Sequence, residues 1–178
     1  FDMHSCLAIY LAGKIKKDHE SADQFYWSPE DLETLQKTLP SIELQFLNPA
    51  IRADDLSDNK SVFGRDMLQV FLSDVVFVDA RDRRGLGVGA EMMWAKINHI
   101  PLLILSHENS HYRRDKATIM GQEIENFTHP FIHQLADYIA TDLKEAALWL
   151  KNLAKGNISK IKDRHSIEEA MQYYLNHQ

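Results

Sequence analysis

The sequence predicts an α/β domain with a five-stranded parallel sheet and helices on both of its faces. Two observations carry the prediction. Short, nearly continuous apolar runs of strand length recur along the chain, as strands buried on both faces require. Between them lie segments with helical spacing and recognisable caps, so strand and helix alternate. The economical strand order for this pattern is 2-1-3-4-5.

Cys6–Leu11 (CLAIYL) is the first apolar run; it ends at Ala12-Gly13 and reads as a buried strand followed by a turn. Ser28-Pro29-Glu30-Asp31 supplies an N-cap, a proline at the first helical position and an acidic third residue. The helix it opens carries Leu32, Leu35 and Leu39 and stops near Pro40. Ile42–Leu47 makes a second strand ending at Asn48-Pro49. A polar loop over 52–60 precedes a helix over about 62–72, with Phe63, Met67, Val70 and Phe71 as its core face.

Val75–Asp79 (VVFVD) is the clearest strand. It runs into a loop with three glycines and a helix from about Ala90 to Asn98. Pro101–Leu105 is the fourth strand and Asp137–Ala140 a short fifth. Between them, residues 106–130 are polar and contain at most one helix, around 118–125. A stretch of this kind suits a lid or a contact to a neighbouring subunit. Asp142-Leu143-Lys144-Glu145 and Ser166-Ile167-Glu168-Glu169 each read as a capping box opening a helix.

The 178 residues fit one domain over 1–178, with a helical C-terminal segment from about 142. A formal net charge of −6 excludes a nucleic-acid polymer as the expected partner. No apolar run is long enough to cross a bilayer. No basic segment followed by an apolar stretch opens the chain. The lone cysteine, Cys6, reads as a small buried hydrophobe and favours a reducing compartment, so a cytoplasmic location is expected.

In an open parallel sheet, ligands bind beyond the carboxyl ends of the strands where the winding direction switches. That rule selects Ala12–Lys17 and Asp79–Glu91. In the second segment, Gly85-Leu86-Gly87-Val88-Gly89-Ala90-Glu91 has neither the dinucleotide spacing nor the G-K-[ST] of a phosphate loop. Its glycines allow close approach of a ligand and backbone angles that other residues resist. Glu91 is expected in the first turn of the helix, where the dipole and free amides favour the anion. An ionised carboxylate there suits displacement at a sugar carbon, although it suits a simple helix cap equally well.

Asp66 borders the core face of its helix, either solvated at the rim or aimed into a site. Tyr10, near the end of the first strand, could orient a carboxylate or fill the core with its hydroxyl satisfied. Lys14, Lys16 and Lys17, like Arg81, Arg83 and Arg84, could meet a phosphate or simply be solvated. Nine histidines show no metal-ligand spacing on a predicted helix, so no metal site is expected. No serine lies in a G-x-S-x-G elbow.

The ordered set Ile9-Tyr10-Leu11-Ala12-Gly13-Lys14-Ile15, Trp27, Asn48-Pro49, Gly64-Arg65-Asp66, Ser73-Asp74-Val75-Val76 and Leu86-Gly87-Val88-Gly89-Ala90-Glu91 resembles the nucleoside 2-deoxyribosyltransferase superfamily. That group includes the deoxynucleoside 5′-monophosphate N-hydrolases. The likeness spans roughly residues 7–105. It implies a flavodoxin-like fold, dimers or larger assemblies, a nucleoside or nucleotide substrate, and no metal or organic cofactor.

By the same resemblance, Glu91 matches the catalytic glutamate, Asp66 the helix-borne aspartate near base and sugar, and Tyr10 the tyrosine that positions the glutamate. Gly13, Lys14, Arg65, Asp79, Gly87 and Gly89 are the substrate-binding candidates. Gly85 departs from the pattern. The transferases tend to place a base-recognising aspartate there, and the monophosphate hydrolases a phosphate-binding serine. Hydrolase and transferase therefore both stand as expectations, with a homodimer as the expected assembly. A non-catalytic nucleotide-binding module on the same fold is the alternative. A flavin-binding electron carrier fits less well, because Gly13-Lys14-Ile15-Lys16 replaces the Ser/Thr-rich phosphate loop.

Overall fold

The computed structural model describes residues 6–15 and 26–178. Five parallel strands form the central sheet in the order β2-β1-β3-β4-β7: β1 (Cys6–Ala12), β2 (Glu43–Leu47), β3 (Val75–Asp79), β4 (Leu102–Leu105) and β7 (Tyr138–Ala140). This is the expected order 2-1-3-4-5, with the fifth strand of the sheet coming seventh in the chain. The remaining two strands, β5 (Arg113–Ile119) and β6 (Gln122–Thr128), pair antiparallel as a separate ribbon. The fold is α/β and flavodoxin-like.

Alternation within each strand sends side chains to two cores. Leu7, Ile9, Leu11, Val75, Phe77, Leu103 and Leu105 face one side, under α1 (Pro29–Thr38) and α5 (Leu143–Ala154). Tyr10, Ala12, Val76, Val78, Leu102 and Ile104 face the other, under α2 (Asn59–Leu72), α3 (Leu86–Ile97) and α4 (Pro130–Leu135). The last helix, α6 (Arg164–His177), has no buried residue. The α1 cap forms as the sequence predicts, with Ser28 and Asp31 in a reciprocal box.

Five expectations are corrected. Residues 113–128 form the β5–β6 ribbon and not a helix at 118–125. Its turn places Met120 and Gly121 at φ of 50° and 80°, a left-handed pair that glycine accommodates at the second position. Helix α2 begins at Asn59, within the expected loop, capped by Asp58 on Ser61 N–H. On α2 only Val70 is fully buried, whereas Phe63 and Phe71 are exposed. Helix α6 is capped by Asp163, with Ser166 as its third residue. Its capping box lies three positions earlier than the sequence reading.

The fifth correction bears on the site. Helix α3 starts at Leu86, with Gly85 as its extended N-cap, so the glycines belong to the helix and none has a positive φ. Glu91 is consequently the sixth helical residue and sits in the second turn. The free amides of the first turn do not stabilise it as an anion there.

Candidate active site

The carboxyl ends of β1, β2 and β3 and the starts of the following segments enclose a crevice of about 510 Å³. Gly13, Lys14 and Ile15 follow β1, Pro49 follows β2, and Arg83, Arg84 and Gly85 follow β3. Asp66 comes from α2, and Gly87, Val88 and Glu91 from α3. The crevice lies at the predicted switch point.

Glu91 is its central group. The side chain is only 8% exposed, and its Oε1 accepts a hydrogen bond of 2.9 Å from the fully buried Tyr10 hydroxyl. Oε2 is buried and has no partner among the described residues. Burial raises the Glu91 pKa from the ordinary 4.5 to about 7. The Tyr10 hydrogen bond lowers it and the Asp66 charge adds a further rise. Desolvation therefore outweighs the one hydrogen bond that favours the anion. Tyr10 is itself held well above its usual range by burial and by Glu91, so it remains a proton donor.

Asp66 reaches the crevice within a cluster of arginines. Arg52 Nη1 lies 3.2 Å from Asp66 Oδ1 and 3.4 Å from Oδ2, and Arg65 Nη1 lies 3.2 Å from Oδ1. Asp54 grips the other edge of Arg52 through two 2.7 Å hydrogen bonds. Arg65 also donates to the Ile51 carbonyl at 2.9 Å. Arg65 is thus a brace beside Asp66 and not part of the crevice wall. The sequence reading missed Arg52 and Asp54, because two charges in a polar loop carry no signal of their pairing.

Gly13 lines the crevice and packs tightly. A Cβ there would lie 3.3 Å from both the Asp79 Cβ and the Trp27 ring. Trp27 is held in turn by its indole N–H donating 3.0 Å to the Ala12 carbonyl. Lys14 is on the crevice wall, while Lys16 and Lys17 lie outside the described residues.

Asp79 is fully buried and does not line the crevice. It accepts from Arg81 Nε at 2.8 Å, Arg81 Nη2 at 3.1 Å and the Arg81 amide at 3.1 Å, and it pairs with Arg84 Nη2 at 3.1 Å. Arg81 extends away to Asp31 at 2.8 Å and stacks over Trp27. Arg84 also donates to the carbonyls of Asp79 and Arg83. Of the three predicted arginines, Arg83 and Arg84 border the crevice, and Arg83 is exposed at its rim.

Gly87 lines this crevice, whereas Gly89 lines a second hollow on the opposite flank of α3. Among the described residues, no group of three His, Cys, Asp or Glu side chains could hold a metal ion. No described helix is long and apolar enough to cross a membrane.

No family model matches the sequence, and no curated protein matches it. Among solved structures, the chain is similar to a conserved protein from Enterococcus faecalis V583, with a TM-score of 0.55 and 18% identity. That match covers 84% of this chain and 98% of the other, and it supports the α/β fold described above. A 2-deoxyribosyltransferase from Bacillus psychrosaccharolyticus matches with a TM-score of 0.37 and 17% identity, over 56% of this chain and 72% of the other. At that score the two share too little for the likeness to bear on activity.

Proposed function

We propose that the chain cleaves or transfers at the N-glycosidic bond of a nucleoside or nucleoside 5′-monophosphate, with Glu91 as nucleophile. The observation that carries this reading is the buried Glu91, held on one oxygen by Tyr10 and unpartnered on the other, in the wall of a crevice at the switch point. The motif resemblance supports the substrate class. In the forward step, Oε2 bonds to the anomeric carbon and the C–N bond breaks. Its electron pair leaves with the base, which takes a proton near Asp66. Water or a second base then attacks the same carbon. The C–O bond to Glu91 breaks with its electron pair returning to the carboxylate, and the attacker's proton goes back to the group that had protonated the first base. Tyr10 keeps the carboxylate oriented throughout.

Lys14 and Arg83 on the wall support the 5′-monophosphate over the free nucleoside. The chain acts as a homodimer in this reading, supported by the exposed Met171, Tyr173, Tyr174 and Leu175 of α6. One observation favours the rival, a non-catalytic nucleotide-binding module. Both Asp66 oxygens are engaged by arginine, which makes Asp66 a poor proton source.

Base release from a panel of nucleosides and their 5′-monophosphates, with and without an acceptor base, separates the two readings. The proposal expects release from at least one member, faster for a monophosphate at low salt. Tight binding of a nucleotide with no release from any member would establish the binding module instead.

A further inference from the structure

The glycines of α3 leave both flanks of its first two turns open. A Cβ at Gly85, Gly87 or Gly89 would meet nothing within 4 Å. Gly87 and Glu91 face the crevice, whereas Gly89 and Met92 face a separate hollow of about 330 Å³. Arg84, Gly85 and Val88 form the ridge between the two. Within α3, a turn of about 100° per residue puts positions 87 and 91 on one flank and 89 and 92 on the other, so the two helical glycines fall one on each flank.

The second hollow has the make-up of a small-molecule site: an apolar floor, few polar groups, and a volume within the usual range of about 300–1,000 Å³. Three rings wall it: Tyr112 just before the ribbon, His129 between the ribbon and α4, and Phe131 of α4. His129 stands edge-on to Tyr112 at 5.6 Å between centroids and lies 5.8 Å from Phe131. Met92 and Met93 add polarisable thioethers, which favour aromatic partners.

Its polar groups are incompletely used. The Tyr112 hydroxyl accepts from the Arg84 amide at 2.9 Å, which leaves its own proton available to donate. His129 also lines the hollow, and its buried Nδ1 has no hydrogen-bond partner among the described residues. The Arg84 guanidinium in the wall is pinned by Asp79. An uncharged ring with polar edges suits this lining better than an anion or an aliphatic chain does.

We infer that the hollow between α3, α4 and the base of the ribbon is a binding subsite for a neutral, planar heteroaromatic ring. It is separated from the Glu91 crevice only by the ridge of Arg84, Gly85 and Val88. Identifying the ring as a free nucleobase rests on the reading of the crevice as a glycosidic-bond site; the hollow's shape and lining do not. On that reading the hollow would hold a leaving or incoming base beside the crevice.

The test follows the methyl resonances of Met92 and Met93 by NMR during titration with free adenine. Glu91→Gln, which lacks the nucleophile but keeps the hollow, should show saturable shifts of both methyls. Gly89→Leu would project a side chain into the hollow, and its better helix propensity protects folding. Adenine binding at the hollow should weaken at least about tenfold in that variant, measured by the same methyl shifts. Gly87→Leu alters the opposite flank and should retain the Met92 and Met93 shifts.

Absence of shifts in Glu91→Gln up to the solubility of adenine would overturn the subsite. So would shifts that persist in Gly89→Leu, or that vanish in Gly87→Leu alone. Shifts that follow protein concentration without adenine would mark the hollow as a contact between copies and overturn it equally. Because Glu91→Gln cannot turn over, adenine binding is read independently of whether the wild-type protein releases base at all.

Discussion

Asp79 and Glu91 are both buried carboxylates beside the carboxyl end of β3, yet their surroundings are opposite. Asp79 receives hydrogen bonds from three Arg81 donors and an ion pair from Arg84. Glu91 receives one hydrogen bond, from a neutral phenol, and keeps an unpartnered oxygen. A carboxylate saturated by fixed donors holds loops in place and has nothing left to react with. One that is desolvated and under-bonded is a high-energy anion facing a crevice. The difference separates the scaffold of the site from its candidate chemistry.

Removing each carboxylate should therefore have opposite effects on stability. Asp79→Ala leaves Arg81 and Arg84 partly buried with their shared partner gone, and should cost about 3–5 kcal/mol in chemical denaturation. A loss below about 1 kcal/mol would mean that the arginine cluster re-pairs and that Asp79 is no scaffold.

Glu91→Gln should instead stabilise the protein, and only at higher pH. The folded pKa of about 7 lies above the ordinary 4.5, so the folded state holds the proton more tightly. The stability linked to that proton is complete below about pH 4.5 and is lost as pH rises through about 7, by at most about 3 kcal/mol. Glutamine does not titrate. The gap between variant and wild type should widen from about pH 5 to about pH 8, and a flat difference would show that Glu91 is not desolvated.

Tyr10→Phe sharpens the comparison further, because it removes the only donor to Glu91 among the described residues. The acidic limb of kcat/KM for base release should move to higher pH, and turnover at about pH 7 should fall about 10–100-fold. Stability should drop by about 1–2 kcal/mol, from the lost hydroxyl contact. An unshifted pH limb would confine Tyr10 to packing.

The central strands β1, β3 and β4 were legible because they are buried on both faces and their side chains are almost all apolar. Val75–Asp79 and the run from Cys6 could hardly be anything else. The β5–β6 ribbon was not, because it packs on little of the body. Among its fourteen residues only Ala117 and Phe127 are buried, so no alternation betrays it. The start of α3 was misplaced for a different reason: three glycines look like a loop, yet Gly85 is the N-cap and Gly87 and Gly89 are helical positions without side chains. The proximity of Tyr10 and Glu91 follows from β1 lying beside β3, which the strand order supplies. The pairing of Asp79 with Arg81 and Arg84, and of Arg52 with Asp66, depends on loop geometry that no periodicity encodes. Tyr112 and His129 were invisible for the same reason, being isolated aromatics in a polar stretch.

The central claim is that Glu91 is a reactive anion and not a buried structural acid. Base release by wild type and Glu91→Gln, compared across about pH 5–9 on the best substrate of the panel, tests it most directly. The account predicts wild-type kcat/KM rising about tenfold per pH unit to a plateau above about pH 7, and a folded variant at least about 1,000-fold slower throughout. A folded Glu91→Gln within about tenfold of wild type would contradict it.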